Sequence, residues 1–246
     1  GAATGSTKRV IGTSEWLGSA LFYDDNGRVI QSISENHMGR TDKVTQTYKG
    51  NGALRSSRQD VHQVRTEQVP HYDPAGRMVG LSHHTGQLVK WDSTANLIFE
   101  DGRWKKNTGG TSWNAGGISS QFIPSETEGK LEFHADDYTG RKMRGLSADN
   151  INNIWNDIEY AFFFLDIDDF EVREKNGARY SGKYSAGDVF TITRIGDQIL
   201  YYHNHTLLPV VSSPPTTLAL TPDISLLHVN TYVQDLWFYQ GDKRVL

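Results

Sequence analysis

An aromatic residue, a four-residue turn and an apolar residue recur as a unit along the amino-terminal part of the chain, restricting its fold more than any other feature. The two full copies are Tyr23-Asp24-Asp25-Asn26-Gly27-Arg28-Val29 and Tyr72-Asp73-Pro74-Ala75-Gly76-Arg77-Met78. A weaker copy, Tyr48-Lys49-Gly50-Asn51-Gly52-Ala53-Leu54, lies between them, and Trp91-Asp92-Ser93-Thr94-Ala95-Asn96-Leu97 is a decayed fourth. Such a unit is a β-hairpin: the Asp side chain bonds the turn backbone, Gly supplies a positive φ, and the aromatic packs across the strand. Alternating stretches such as Val44-Thr45-Gln46-Thr47-Tyr48 then read as strands. The polar stretch from Arg55 to Gln68 reads as a long exposed hairpin or an excursion, and Gly1 to Thr7 as a flexible tail.

Composition supports an all-β chain and narrows its partners. Among 246 residues, 11% are aromatic and 24 are Gly against 7 Pro, which supplies core side chains and tight turns rather than a proline-rich linker. The 25 basic and 29 acidic residues give a net charge of −4 with no basic stripe, so no nucleic-acid partner is expected. No apolar run reaches the roughly 18 residues of a membrane-spanning helix. The absence of Cys excludes disulfides, thiolate catalysis and Cys-ligated zinc. No cofactor fingerprint occurs.

From about Gly102 turn signals become frequent and strands more aromatic. Ile158 to Leu165 reads as a buried strand. Asn176-Gly177 and Gly196-Asp197 read as two-residue hairpins, and Tyr232 to Tyr239 as a final strand. Seven or more such strands argue a β-sandwich. Asp149 to Asn156 is the one stretch suited to a helical turn. The expected organisation is residues 1–101 as hairpins and 102–246 as a sandwich.

The Tyr-Asp and Asn-Gly-Arg units resemble the YD repeats of bacterial Rhs proteins and animal teneurins. That resemblance implies hairpins that wind into a shell or present a surface domain. The second half resembles the concanavalin A-like, lectin-type sandwiches of large bacterial surface proteins. It does so through Trp113-Asn114-Ala115-Gly116-Gly117, Met143-Arg144-Gly145-Leu146-Ser147, Ile158-Glu159-Tyr160-Ala161, Val172-Arg173-Glu174-Lys175-Asn176-Gly177 and Tyr184-Ser185-Ala186-Gly187-Asp188-Val189-Phe190. The fold implied is YD-repeat hairpins packed beside a jelly-roll sandwich. The function implied is a non-enzymatic structural, display or adhesion fragment of an extracellular or cell-surface protein, with other surface domains or carbohydrate as partners. A carbohydrate-binding module is the alternative, and a sandwich glycosidase a third reading.

Three constellations bear on chemistry. Trp155 sits in an amide-rich stretch with Asn153, Asn156 and Asp157, a set that suits stacking on a sugar ring and bonding its hydroxyls. Asp166, Asp168 and Glu171 approximate the acidic spacing of laminarinase-type glycosidases. The same residues fit a turn or a calcium site, and the expectation is a turn without catalysis. His83-His84 and His203-x-His205 fall short of a full zinc set, so no metal is expected.

Overall fold

The computed structural model describes residues 4–36, 38–61, 64–136, 140–148, 154–165, 168–210, 217–241 and the backbone of 243–245. Among these the regular secondary structure is antiparallel strand, apart from one 3-10 turn at Trp155–Asp157. It divides into two compact units, Gly1–Gln87 with Asp242–Leu246, and Leu88–Gly241.

The repeated turns close the hairpins of the first unit as their chemistry dictates. The strands are β1 (Gly5–Arg9), β2 (Trp16–Tyr23), β3 (Val29–Glu35), β4 (Thr41–Tyr48), β5 (Leu54–Val61), β6 (Val64–Tyr72) and β7 (Met78–Leu88), each paired with the next. In the first copy Asp24 N donates to Arg28 O and Gly27 N to Asp24 O, both at 2.9 Å. The Asp24 carboxylate accepts from the Asn26 and Arg28 amides at 3.0 and 2.9 Å and from Arg28 Nε at 2.7 Å. Asp73 repeats the pattern, accepting from the Arg77 amide at 2.9 Å and Arg77 Nε at 2.8 Å. The Arg28 side chain and amide hold the Asp24 carboxyl below the usual range, and the Arg77 amide and side chain do so for Asp73. Gly27 and Gly76 stand at φ +74° and +81°, as the turn requires.

At Gly76 an added Cβ would meet nothing within 4 Å, so only the backbone resists a side chain there. Gly76→Val is therefore expected to destabilise the first unit by about 1 kcal/mol or more. Urea unfolding followed by strand circular dichroism checks this, and an unchanged midpoint would refute it.

Successive copies are fastened to one another. Tyr48 donates its hydroxyl to Val29 O at 2.9 Å, and Tyr72 donates to Leu54 O at 3.1 Å. The Arg28 guanidinium lies 4.7 Å from the Tyr48 ring centre, and the Lys49 ammonium 4.4 Å from that of Tyr72. Among the described residues of this unit Pro70 is the one buried apolar side chain. Polar rungs connect its strands instead: Ser6 to Ser19 at 2.8 Å, Thr47 to Ser56 at 2.8 Å, Arg65 to Asp60 at 2.5 Å and His71 to Ser82 at 2.7 Å.

Several local expectations shift. Gly5 to Thr7, read as the end of a flexible tail, belong to strand β1, paired with β2. Of the two readings of Arg55 to Gln68 the hairpin holds, its described residues lying in β5 and β6 with Val61 facing Val64. A further copy of the turn occurs at Asn36-x-Met38-Gly39-Arg40, where Asn36 Oδ1 accepts from the Met38 and Arg40 amides at 3.0 and 3.2 Å.

The decayed fourth copy is no hairpin. Its arms, β8 (Trp91–Ala95) and β9 (Leu97–Glu100), join different sheets. It lacks the turn glycine, and Asp92-Ser93-Thr94 continues as strand.

The second unit continues with β10 (Arg103–Lys106), β11 (Ala115–Ser119), β12 (Glu128–His134), β13 (Lys142–Ser147), β14 (Tyr160–Phe164), β15 (Asp169–Glu174) and β16 (Gly177–Lys183). There follow β17 (Val189–Ile195), β18 (Gln198–His203), β19 (Thr206–Leu207), β20 (Thr221–Leu226), β21 (Tyr232–Val233) and β22 (Trp237–Gln240). The last strand, β23 (Lys243–Val245), pairs with β7 in the first unit.

One sheet runs β16-β15-β14-β13-β20-β11-β8, and opposite it lie β22-β12-β17-β18-β19. A small sheet of β21, β10 and β9 completes the unit. The Gly196-Asp197 turn joins Ile195 to its partner Gln198 as read from the sequence. The Asn176-Gly177 turn sits one residue earlier, at Lys175-Asn176, with φ of +46° and +70°. The expected final strand is split into β21 and β22, with Asp235 at φ +49° between them.

The facing sheets enclose an aromatic core. Phe190 stacks on Phe133 at 6.0 Å and meets Phe162, Phe164 and Phe170 edge-on at 4.8, 5.0 and 5.0 Å. Charged groups are buried here too. Lys142 Nζ lies 3.2 Å from Asp136 Oδ2, and Arg144 Nη2 binds the same oxygen. The three side chains are 1%, 0% and 0% exposed for Lys142, Arg144 and Asp136. Arg144 also donates to His134 O at 2.8 Å, and burial drives its pKa down to about 9. The chain is thus an all-β protein whose second unit is an antiparallel jelly-roll-type β-sandwich.

Candidate functional site

Strand alternation gives the seven-stranded sheet two faces with different work. Phe162 and Phe164 of β14 enter the core, while Ala161 and Phe163 emerge on the opposite, outer face. Register places Met143 and Glu171 beside Phe163, and Gly145 and Arg173 beside Ala161. On β20, Ser225 stands beside Met143 and Asp223 beside Gly145. Gly145 is required here, because a Cβ would press on Tyr160 O and Ile158.

Met143, Ile158, Ala161 and Phe163 form a small apolar cluster on this face, and Trp113, Trp155 and Leu165 pack against it while only partly buried. Trp113 lies 6.2 Å from Trp155 and 5.8 Å from Phe163 between ring centres. The Arg173 guanidinium covers Phe163 at 4.8 Å and Trp155 at 5.4 Å. Its Nε donates to Glu171 Oε2 at 2.7 Å, and among the described residues its terminal nitrogens have no hydrogen-bond partner. Both side chains of this pair are 21% exposed.

Carboxyl groups gather at the other end of the face. Asp223, 4% exposed, accepts a hydrogen bond from the Ser147 hydroxyl at 2.6 Å. Burial pushes its carboxyl well above the usual range against that hydrogen bond, and the charges of Asp157 and Glu159 push the same way. Glu159 accepts the Ala148 amide at 2.8 Å.

The four residues singled out in the sequence are thus placed differently from one another. Trp155 reaches the outer face and Asn156 is exposed, whereas Asp157 is buried at 8% exposure. Asn153 lies outside the described residues. Sequence reasoning missed Phe163 and Arg173 as members of this face. The run from Tyr160 to Leu165 is apolar on both sides of the strand, so no alternation marked which rings face outward.

The acidic run is split by the fold. Asp166 lies outside the described residues. Asp168 and Asp169 each contact Lys183 at 2.8 Å, and Leu165 N donates to Asp169 O at 3.0 Å. Glu171 stands apart on β15 with Arg173. His203 binds Asp188 Oδ2 at 2.8 Å in the turn region before β17. Among the described residues no three His, Asp or Glu side chains converge to hold a metal ion, and no helix is long and apolar enough to cross a membrane.

No family model and no curated protein matches the chain. Solved structures do. The SPRY domain of human HERC1 matches at 13% identity and a TM-score of 0.42, covering 61% of this chain and 96% of its own. The carbohydrate-binding module CBM66 of Bacillus subtilis matches at 11% and 0.38, over 65% and 97%. The alginate lyase AlgAT5 of polysaccharide lyase family 7 matches at 11% and 0.37, over 72% and 82%. These are likenesses of fold, with nothing in them that points to Rhs proteins. They also correct one expectation: a non-enzymatic chain was read from the sequence, yet an enzyme, the alginate lyase, stands among the structures of similar fold.

Proposed function

We propose that the outer face of the seven-stranded sheet binds carbohydrate, in a protein that works outside the cell or at its surface. One observation carries the reading. Trp113 and Trp155 are partly exposed 6.2 Å apart, beside an arginine whose terminal nitrogens are free for a ligand among the described residues. Rings of this kind stack on the apolar face of a sugar, and the Arg173–Glu171 pair supplies donors and an acceptor for its hydroxyls. Asn156, exposed next to Trp155, adds an amide. Asn153 and Asp157 belong to the same proposal, Asp157 from below the surface.

Affinity electrophoresis through gels containing polysaccharide tests this. Trp155→Ala is expected to weaken retardation by about tenfold or more, the size of a central aromatic anchor. Equal retardation of the two proteins would remove the face from consideration.

A second reading concerns the hairpins, and the fastening of each tyrosine to the preceding copy favours it. On that reading the first unit is a YD-repeat element of a larger Rhs-type surface protein that displays the sandwich. Further Tyr-Asp and Asn-Gly-Arg copies in the neighbouring sequence of the parent protein would be its signature.

A further inference from the structure

The charges around the outer face say what kind of glycan it accepts. Arg173 is the cation at the tryptophans, and Glu171 already neutralises it at 2.7 Å. The next cation along the same sheet, Lys183, is held between Asp168 and Asp169 at 2.8 Å each. Asp157 and Glu159 approach from the 3-10 turn and the segment before β14, and Asp223 rises from β20. Even with Asp223 neutral, among the described residues the carboxylates Asp157, Glu159, Asp168, Asp169 and Glu171 outnumber the cations on or beside this face, Arg141, Arg173, Lys175 and Lys183. A carboxylated sugar stacked on Trp155 brings its negative charge towards Glu171, which already holds Arg173, the cation at the rings, and like charges at such range repel strongly where water is partly excluded.

We infer that this face selects neutral, hydroxyl-rich glycans and rejects carboxylated ones, with Arg173 and Glu171 acting together on adjacent hydroxyl groups. The inference rests on the carbohydrate reading of the same face. The guanidinium, 4.8 Å from the Phe163 ring centre and 5.4 Å from that of Trp155, offers its terminal N–H groups to one hydroxyl oxygen. The second oxygen of the Glu171 carboxylate accepts the proton of the neighbouring hydroxyl. A sugar ring presents two such groups side by side. Glu171 thus serves as hydrogen-bond acceptor, as the clamp that orients Arg173, and as the charge that excludes acids.

Affinity electrophoresis at low salt separates the possibilities. The panel is a neutral set (mixed-linkage β-glucan, xylan and galactomannan) and an acidic set (alginate and polygalacturonate). The unmodified chain is expected to be retarded by at least one neutral polymer and by neither acidic one. Arg173→Ala is expected to lose about tenfold or more of the neutral retardation. Glu171→Gln keeps the shape of the side chain and removes its charge, leaving Arg173 uncompensated. This variant is expected to gain retardation by the acidic polymers, and added salt should abolish the gain.

Retardation of the unmodified chain by alginate or polygalacturonate as strong as by any neutral polymer would overturn the inference while leaving carbohydrate binding intact. So would a Glu171→Gln variant, folded by its tryptophan emission, that remains indifferent to acidic polymers. Indifference of the unmodified chain to every polymer would overturn the carbohydrate reading itself, and this inference with it.

Discussion

Replacing Asp136 by Asn is expected to destabilise the sandwich by about 3–5 kcal/mol, the largest loss foreseen from a change of so few atoms. The carboxylate is shared by Lys142 and Arg144, and all three side chains are out of contact with water. An amide keeps the shape and loses the charge, which leaves two desolvated cations facing each other. The attraction that offset their dehydration is gone, and the dehydration remains. Arg144 retains its bond to His134 O and its contacts at 5.0 and 5.4 Å with the Phe133 and Phe164 rings, which do not replace an anion. Tryptophan emission in urea reads the effect well, since Trp16 alone of the six tryptophans lies outside Leu88–Gly241. Substituting all three partners by apolar residues of similar volume should cost far less than Asp136→Asn alone. A midpoint equal to that of the unmodified protein would show the triad to be electrostatically idle.

Phe190→Ala is expected to cost a similar 3–5 kcal/mol, for a different reason. Phe190 is 0% exposed and sits where the two sheets meet, touching Phe133 from its own sheet and three phenylalanines from the other. His203 also stacks on it at 4.7 Å. Truncation removes the contacts of at least five rings at once and leaves a space lined by rigid groups that cannot close it. Calorimetry should show the sandwich transition lowered by about 10 °C or more. Phe190→Leu, which keeps most of the volume, should lie much closer to the unmodified protein. Similar transitions for the Ala and Leu variants would show that the site relaxes, against the packing argument.

What could be read from the sequence follows from how far apart the cooperating residues lie. The turns at Asp24 and Asp73 were legible because every hydrogen bond that closes them falls within five consecutive residues. The matching turn at Asn36 escaped notice because Glu35, not an aromatic, precedes it. At Trp91 the aromatic was present and the glycine absent, and the chain stayed extended. The sandwich was legible from its strand spacing, but not the identity of its outer face. Trp113, Trp155, Phe163 and Arg173 are spread over 61 residues, from 113 to 173, and only strand register brings them together. The Lys142 and Arg144 pair was invisible for a related reason. Two cations on one strand read as a solvated face, and nothing local announces that Asp136 waits for both of them inside.

The tyrosine fastenings of the first unit bear on how such a protein can change over evolutionary time. The Tyr48 and Tyr72 turns there each lean on the preceding copy through a hydroxyl, a carbonyl and a cation resting on a ring. Pro70 apart, no described apolar side chain of that unit is buried. A gene duplication that adds one hairpin therefore disturbs only the two copies it separates, and it supplies the same contacts to each. A loss of one is equally local. The sandwich has no such freedom, because any strand inserted there would have to be accommodated by the rings around Phe190. Length in this chain is free to drift at one end and is held fixed at the other.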